Sequence, residues 1–261
     1  MRIVVGLEYC GTGFCGWQSQ PQGCGVQDAL ETAVAAIAGD KTTVTAAGRT
    51  DTGVHAAFQV AHFDVSVERP LTAWVRGVNS HLPAGVAVLW ARAIDADFHS
   101  RFSAEARGYR YVLLNTPVRP ALATGQIGWH HRPLDVPRMN AAAAALLGEH
   151  DFSAFRAAEC QAKSPVKHVH HIGIVRRGDT LLCDFVANGF LHHMVRNLMG
   201  CLIHVGAGNA PPEWLHEVRV SRDRTRAAPT FMPDGLYLDR IRYPRRYDLP
   251  ETSTRWPFTT P

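Results

Sequence analysis

The spacing of apolar residues predicts regular elements along the first half of the chain. A run at 3–9 predicts a buried strand, and apolar residues from Val26 to Ile37 recur three or four positions apart, which predicts an amphipathic helix that stops at Gly39. The next predicted elements are strands at 43–45 and 59–63, a helix through Leu71, Val75, Val78 and Leu82 that ends at Pro83, and a strand at 86–94. The first half is therefore β-α-β-β-α-β in outline.

The second half predicts the same order of elements. They are a strand at 109–114, a helix capped by Asp135 and running to Leu147, a hairpin of 172–175 and 181–186 turned at 177–179, helices at 191–205 and 214–218, and a strand at 236–241. The fold class predicted is α+β: two ferredoxin-like βαββαβ halves joined into one largely antiparallel sheet flanked by helices. The predicted domains are 1–104, 105–247 and a C-terminal tail at 248–261.

Composition allows a globular protein and weakly favours an anionic partner. The 261 residues are 46% hydrophobic, enough to bury a core in one large domain or two small ones. The net charge of +4 suits either a basic groove or an ordinary basic enzyme. Only three of the 27 basic side chains are lysine, so arginine, whose planar fork suits phosphate oxygens, predominates.

The cysteines and the apolar runs bear on compartment. The six cysteines form no C-x-x-C pair, and we expect free thiols in a reducing cytoplasm. No apolar run approaches the roughly 20 residues of a membrane span, and no membrane association is expected. The Pro- and Thr-rich tail at 250–261 is expected to fray.

Candidate chemistry centres on a polar segment with two glycines at 46–56, set between two predicted strands. Its turns would bring Arg49, Asp51 and His55 to one rim. An ordinary turn, in which Asp51 bonds its own backbone, fits the local residues equally well. The sequence Gly-x-Gly-x-x-Gly at 11–16 does not predict a dinucleotide site, because residues 17–23 cannot open a helix after the third glycine.

A set of motifs in a fixed order carries a resemblance to a known family. The sequence Gly-Arg-Thr-Asp-Thr-Gly-Val-His at 48–55 resembles the catalytic loop of pseudouridine synthases of the tRNA pseudouridine synthase A type. The similarity continues through 9–18, 97–104, 107–111, 148–152, 190–197 and 235–238, nearly the whole chain. Cys10 stands where the family usually has Asp, so a loop contact made by that carboxylate is not expected here.

The resemblance implies an isomerase that converts uridine to pseudouridine in the anticodon stem and loop of tRNAs, at positions 38, 39 and 40. It implies Asp51 as the catalytic carboxylate, Arg196 as its partner, Tyr109 stacked on the target uracil and assisting proton transfer, and Leu236 packed on the other side of the base. Arg49 is placed to fill the gap left by a flipped nucleotide. The resemblance also implies a homodimer, with the 1–104 half carrying the Asp51 loop and the 105–247 half completing the cleft.

The residues themselves support some of these roles and leave others open. Arg196 falls within the apolar stripe of the 191–205 helix, where a buried guanidinium would need a carboxylate such as Asp51, although the side chain could also reach out to water. A nearby guanidinium would favour the ionised form of that carboxylate. Without the resemblance, Tyr109 and Leu236 would be read as core residues.

Other basic and imidazole side chains were assigned to RNA contact. The cations predicted to line an RNA groove are Arg101, Arg107, Arg110, Arg219, Arg222, Arg224 and Arg226; the alternative for the last four is a solvated surface. His55 is predicted to contact substrate or a phosphate. The 14 histidines show no zinc-type spacing, so neither a metal nor a cofactor is expected. The rival functions are a non-catalytic RNA-binding or folding protein and an N-glycoside hydrolase, which would need a second carboxylate.

Overall fold

The computed structural model describes residues 1–251, so residues 252–261 of the predicted tail lie outside the described part of the chain. The chain forms two compact units. The first contains Met1–Arg107 together with the chain from Tyr237 onward, and the second contains Gly108–Leu236. The second unit is therefore continuous in sequence, whereas the first is assembled from both ends of the chain.

The first unit is a sheet with helices. Its elements are β1 (Arg2–Tyr9), α1 (Val26–Ala38), β2 (Thr45–Ala46), β3 (His55–Asp64), a π-helical turn (Ala73–Gly77) that runs into α2 (Val78–His81), β4 (Val86–Ile94) and β10 (Leu236–Arg242). The strand order is β4-β1-β3-β10, and β2 pairs with β3. Strand β1 is antiparallel to β3 and β4, whereas β10 is parallel to β3 through Tyr237 and Leu238. The central position of β3 buries every residue of it except Asp64.

The predicted first helix is confirmed, whereas the residues predicted to form the buried face of the second helix are only partly correct. Helix α1 ends at Gly39, whose φ of 76° gives the left-handed cap that glycine tolerates. Val78 of the predicted stripe is buried, but Leu71 is exposed, and the other fully buried side chain of this segment is Trp74, whose indole packs edge-on against Phe63 at 5.5 Å. The apolar stripe drawn through Leu71 therefore missed the aromatic residue that anchors this segment.

The second unit contains β-strands and three α-helices. Its elements are β5 (Ala106–Leu114), β6 (Gly128–Trp129), α3 (Val136–Ala144), β7 (Gly148–Asp151), β8 (Val166–Arg177), β9 (Thr180–Ala187), α4 (Met194–Gly206) and α5 (Trp214–Ser221). The order β5-β9-β8-β7 is joined by β6, which runs parallel to β5. The predicted hairpin is confirmed as β8 and β9, and Asp135 caps α3 by accepting a hydrogen bond from the N–H of Arg138.

Helix α4 begins later than its apolar pattern predicts. Residues 191–193 form a turn, and His193, with a φ of 60°, lies at the N-terminal boundary of the helix. From Met194 the helix is almost entirely buried, which its wide apolar stripe predicted.

The observed elements confirm an α+β fold with largely antiparallel sheets flanked by helices. The domain boundaries 1–104, 105–247 and 248–261 remain predictions. In chain order β10 ends the second set of elements, but from Tyr237 it belongs to the first compact unit, where it pairs with His55 of β3. Among the described residues, no helix is both long and apolar enough to cross a membrane.

The expectation of six free thiols was wrong for two cysteines. Cys15 and Cys24 are joined in a disulfide, while Cys10, Cys160, Cys183 and Cys201 are free. The pair closes a loop of nine residues' separation that ends just before α1. A spacing of this kind has no motif, so only the fold reveals that the two sulfurs meet.

Candidate active site

The segment at 47–54, called the Asp51 loop here, is held in place by hydrogen bonds from distant parts of the first unit. The N–H of Trp17 donates to the carbonyl of Thr50 at 3.0 Å, and the side-chain amide of Gln59 donates to the carbonyl of Gly48 at 2.7 Å. The hydroxyls of Tyr9 and Thr50 are 2.8 Å apart and buried. The backbone conformation around Asp51 is therefore fixed from β1, from the segment before α1 and from β3.

Two glycines of the Gly-x-Gly-x-x-Gly segment allow it to lie directly against the Asp51 loop. A Cβ at Gly11 would lie 2.2 Å from the carbonyl oxygen of Val54, and one at Gly16 would lie 2.7 Å from that of Thr50. Helix α1 begins only at Val26. These glycines therefore serve close backbone packing, which agrees with the exclusion of a dinucleotide site on sequence grounds.

Arg107 is the fourth support of the loop, and sequence reasoning assigned it to RNA instead. Its Nε and Nη2 donate to the carbonyl of Ala47 at 3.1 and 3.0 Å, Nη1 donates to Ala104 at 3.4 Å, and Nη2 also donates to Arg101. A guanidinium that donates to three backbone carbonyls fixes chain segments relative to one another. Arg107 therefore acts as a clamp, by which we mean that its guanidinium holds the backbone of Ala47, the first residue of the Asp51 loop.

The predicted rim residues separate by exposure. Asp51 is half-buried and Arg49 is exposed, as expected for groups that meet a substrate. His55 is only 1% exposed, so its expected rim position was wrong. Its Nδ1 accepts the N–H of Gly11 at 2.9 Å, and its ring stacks on Tyr237 at 4.6 Å. His55 thus anchors the end of the Asp51 loop from inside.

A second buried polar cluster supports β2, the strand that leads into the loop. The Ser100 hydroxyl donates to the carbonyl of Thr45 at 2.6 Å, its N–H donates to Nδ1 of His62 at 3.2 Å, and its carbonyl accepts from Tyr243 at 2.7 Å. Burial, together with the positive charges of Arg2 and His99, lowers the pKa of His62 to about 4, while the charge of Asp64 opposes this shift. His62 is therefore neutral at pH 7 and accepts through Nδ1.

Sequence reasoning missed most of these supports. Gln59 was the one with a visible signal, because it is a polar residue within the apolar run of β3 and is fully buried. Tyr9 also lies in a segment that carries the family resemblance, but its position at a strand end suggested only core packing. Burial raises the pKa of Tyr9, so the phenol stays protonated and available to Thr50.

The predicted site residues of the second unit lie on three elements. The half-buried ring of Tyr109 on β5 meets Phe190 edge-on at 5.2 Å. Arg196 on α4 is half-buried, and its Nε donates to the carbonyl of Phe231 at 3.0 Å. Leu236 is 3% exposed. The pairing of Arg196 with Asp51 remains a prediction.

Several cations predicted to contact RNA have protein partners within their own unit. Arg110 forms a two-pronged ion pair with Asp184 at 2.6 and 2.8 Å, and Arg222 lies 3.3 Å from Asp151. Arg224 donates to the side chains of Asn197 and Thr230 and to the carbonyls of Ala227 and Ala228. These partners do not support the prediction that Arg110 and Arg224 contact RNA. Arg101 and Arg226 are exposed.

Comparison with known proteins agrees with the resemblance seen in the motifs. The model of a family described as tRNA pseudouridine synthase matches residues 7–103 and 142–244. A protein named tRNA pseudouridine synthase A from Thiobacillus denitrificans is 74% identical over 258 residues, 99% of each chain. Proteins of the same name from Dechloromonas aromatica and Methylobacillus flagellatus are 58% and 55% identical over 96% and 98% of each chain. This chain therefore belongs to the tRNA pseudouridine synthase family.

Proposed function

We propose that the protein is a tRNA pseudouridine synthase, an isomerase that converts uridine to pseudouridine in the anticodon stem and loop, at positions 38, 39 and 40. The observation that carries the proposal is the half-buried Asp51 on a loop fixed by Tyr9, Trp17, Gln59 and Arg107, in a chain of this family. A fixed, partly accessible carboxylate suits a reaction that must meet one atom of a flipped nucleotide.

The reaction needs a nucleophile and a route for one proton. The N1–C1′ glycosidic bond of the uridine breaks, the retained uracil rotates, a C5–C1′ bond forms, and the proton on C5 is lost while N1 gains one. Asp51 acts as the nucleophile, which requires its ionised form. Attack at C1′, attack at C6 and assistance to a glycal all start from this carboxylate. The isomerisation is redox-neutral, and the proposal invokes no cofactor.

Four other side chains take roles around Asp51. Arg196 is the charged partner of the Asp51 carboxylate, and Tyr109 stacks on the uracil and assists the loss of the C5 proton. Leu236 packs on the base, and the exposed Arg49 fills the space that the flipped nucleotide leaves. His55, which is buried, acts by holding the loop rather than by touching RNA.

The partner is the anticodon arm of tRNA, and the working form is a homodimer in the cytoplasm. An arginine-rich chain with net charge +4 suits a phosphate backbone. Arg101 is exposed and stays in the proposed RNA contact surface.

Release of tritium from carbon 5 tests the activity. Unmodified tRNA transcripts carrying 5-tritiated uridine at position 38, 39 or 40 are compared with transcripts in which those uridines are cytidine. We expect release into water only from the first set, with pseudouridine in the digested product. Binding without release would favour the RNA-binding rival, and free uracil in the supernatant would favour a hydrolase.

A further inference from the structure

Phe102 is an aromatic ring placed in solvent. It lies in the 99–103 turn that leads towards β5, and it is 75% exposed. Among the described residues, it is the only aromatic within the set of large exposed apolar side chains. An exposed ring of this size leaves apolar surface in water that a ligand could cover.

The turn that carries Phe102 is ordered by its own hydrogen bonds. The N–H of His99 donates to the hydroxyl of Ser103 at 3.0 Å, and the N–H of Ser103 donates to the carbonyl of His99 at 2.8 Å. The N–H groups of Arg101 and Phe102 both point to Nδ1 of His99, at 3.2 and 3.3 Å. The ring is therefore presented by a built turn.

The ring already has one tilted aromatic neighbour and one cation. The ring of His99 lies 4.3 Å from it at an interplanar angle of 31°, and the guanidinium of Arg101 is 5.7 Å from its centroid. A flat aromatic surface beside an exposed guanidinium matches a nucleotide, which offers a base to stack and a phosphate to pair. The cation makes an apolar protein partner a poorer match.

The turn is tied to the Asp51 loop. Arg107 donates to the carbonyls of both Arg101 and Ala47, so one guanidinium joins the turn to the loop's first residue. Ser100 adds a second tie to Thr45 of β2. The position of Phe102 relative to Asp51 is thus set by direct bonds within the first unit.

We propose that Phe102, flanked by His99 and Arg101, is a stacking surface for an unpaired base of the RNA substrate. The proposal rests on the proposed function and adds to it a residue that reads the RNA by base stacking. Stacking is worth about 1–3 kcal/mol per base and tolerates any base, so Phe102 supplies affinity and register for the RNA rather than chemistry.

Equilibrium binding of an anticodon-arm RNA, measured in an Asp51→Asn background so that no turnover intervenes, tests the idea. We expect Phe102→Ala to weaken binding about 5- to 100-fold and Phe102→Tyr to stay within about twofold of the background protein. The salt dependence should keep its slope, since no phosphate contact is lost. In the otherwise native enzyme Phe102→Ala should raise KM and leave kcat nearly unchanged.

The control is Leu122→Ala, which removes an apolar side chain that is 88% exposed in the second unit and should leave binding unchanged. Binding by Phe102→Ala that equals the background, or a Phe102→Tyr variant as weak as Phe102→Ala, would overturn the stacking role. So would a lower sedimentation coefficient for Phe102→Ala, because the ring would then belong to a contact between protein copies. An inactive parent that still loses RNA affinity on Phe102→Ala would instead count against the proposed isomerase and for the stacking surface.

Discussion

The Asp51 loop and the arginine-rich segment at 222–226 are both short, polar and fixed by an arginine, but they are held differently. Arg107 fixes the first and Arg224 fixes the second, each by donating to backbone carbonyls. The Asp51 loop also receives donors from Trp17 on the segment before α1 and from Gln59 on β3. The arginine-rich segment is held mostly by its neighbours in sequence, with Asn197 of α4 and an ion pair between the exposed Arg222 and Asp151 as its distant contacts.

The difference shows that a large number of arginines in a segment does not by itself indicate an RNA contact. Seven arginines are predicted to line an RNA groove, and four of them, Arg107, Arg110, Arg222 and Arg224, contact carbonyls or a carboxylate of the protein. Hydrogen bonds from segments distant in sequence converge on the Asp51 loop, where the position of one side chain matters for the proposed chemistry. Local bonding in the other segment marks a structural turn, whatever its charge.

The largest effect is expected from one amide substitution in each region. Asp51→Asn keeps the size of the side chain but removes the nucleophile, so kcat should fall at least about 10³-fold. The matched change Asp223→Asn alters an exposed cap of a turn in the arginine-rich segment and should leave kcat near the parent value. Tritium release measures both, with tRNA binding and melting temperature as folding controls. An Asp51→Asn enzyme within tenfold of the parent would refute the nucleophile.

Replacement of each clamp by methionine separates position from charge. Arg107→Met and Arg224→Met should each lower the free energy of unfolding by about 2–4 kcal/mol, because carbonyls lose charged donors in half-buried surroundings. At equal folded fraction, Arg107→Met should also lower kcat, since Ala47 is released. Urea unfolding and single-turnover rates provide the measurements.

Arg224→Met carries a second expectation, because the sequence predicts that Arg224 contacts RNA. The salt dependence of tRNA binding should keep its slope, because this guanidinium faces carbonyls and amides within the protein. The variant Arg226→Ala, which removes an exposed cation from the same segment, provides the comparison for Arg224→Met. A slope lower by about one unit for Arg224→Met would show a phosphate contact there.

Acid should lower the free energy of unfolding through His62, which supports the strand that leads into the Asp51 loop. Its pKa is about 4 in the folded protein and near 6.5 when unfolded, so its contribution is intact above pH 6.5 and is lost as pH falls towards 4. At pH 5.5 the loss should be about 1.4 kcal/mol relative to pH 7.5. His62→Asn keeps an acceptor for the Ser100 N–H and removes the titration, so its unfolding free energy should depend less on pH over this range. Equal pH dependence in parent and variant would contradict this assignment.

The smallest effect is expected from a single hydroxyl. Tyr9→Phe removes the buried bond to Thr50 and should lower the free energy of unfolding by about 1 kcal/mol, with a modest fall in kcat. Tyr247→Phe removes a hydroxyl that bonds exposed groups and should change stability less. Thermal unfolding ranks the two, and a larger loss for Tyr247→Phe would argue against the buried bond.

Periodicity predicted the regular elements well because it reports which faces are covered. Strand β4 was predicted to the residue, and α1 with its Gly39 stop was confirmed. It failed where one residue decides the local structure. Trp74 anchors the second helical segment outside the stripe that was drawn, and His193 in the left-handed region delays the start of α4.

The sequence predicts a reactive group, which stays a prediction, but it did not reveal the residues that support the loop carrying that group. Asp51 and Arg49 stand out because their motif carries a family resemblance and charged residues in a loop have few structural reasons. Partners far apart in sequence leave no such mark: the bonds of Arg107 to Ala47, of His55 to Gly11 and of Cys15 to Cys24 depend on how the backbone returns. Sequence could name the reactive group but not what holds it still.

The return of the chain to the first unit has a consequence for the order of synthesis. His55 leaves the ribosome early, whereas Tyr237, which stacks on it and pairs with it through β10, is made roughly 10 to 40 seconds later at ordinary elongation rates. The second unit, being continuous, is synthesised in that interval. The loop that carries the proposed nucleophile therefore gains its last support almost at the end of translation, and a nascent chain that stops short of Tyr237 contains Asp51 without the finished frame behind it.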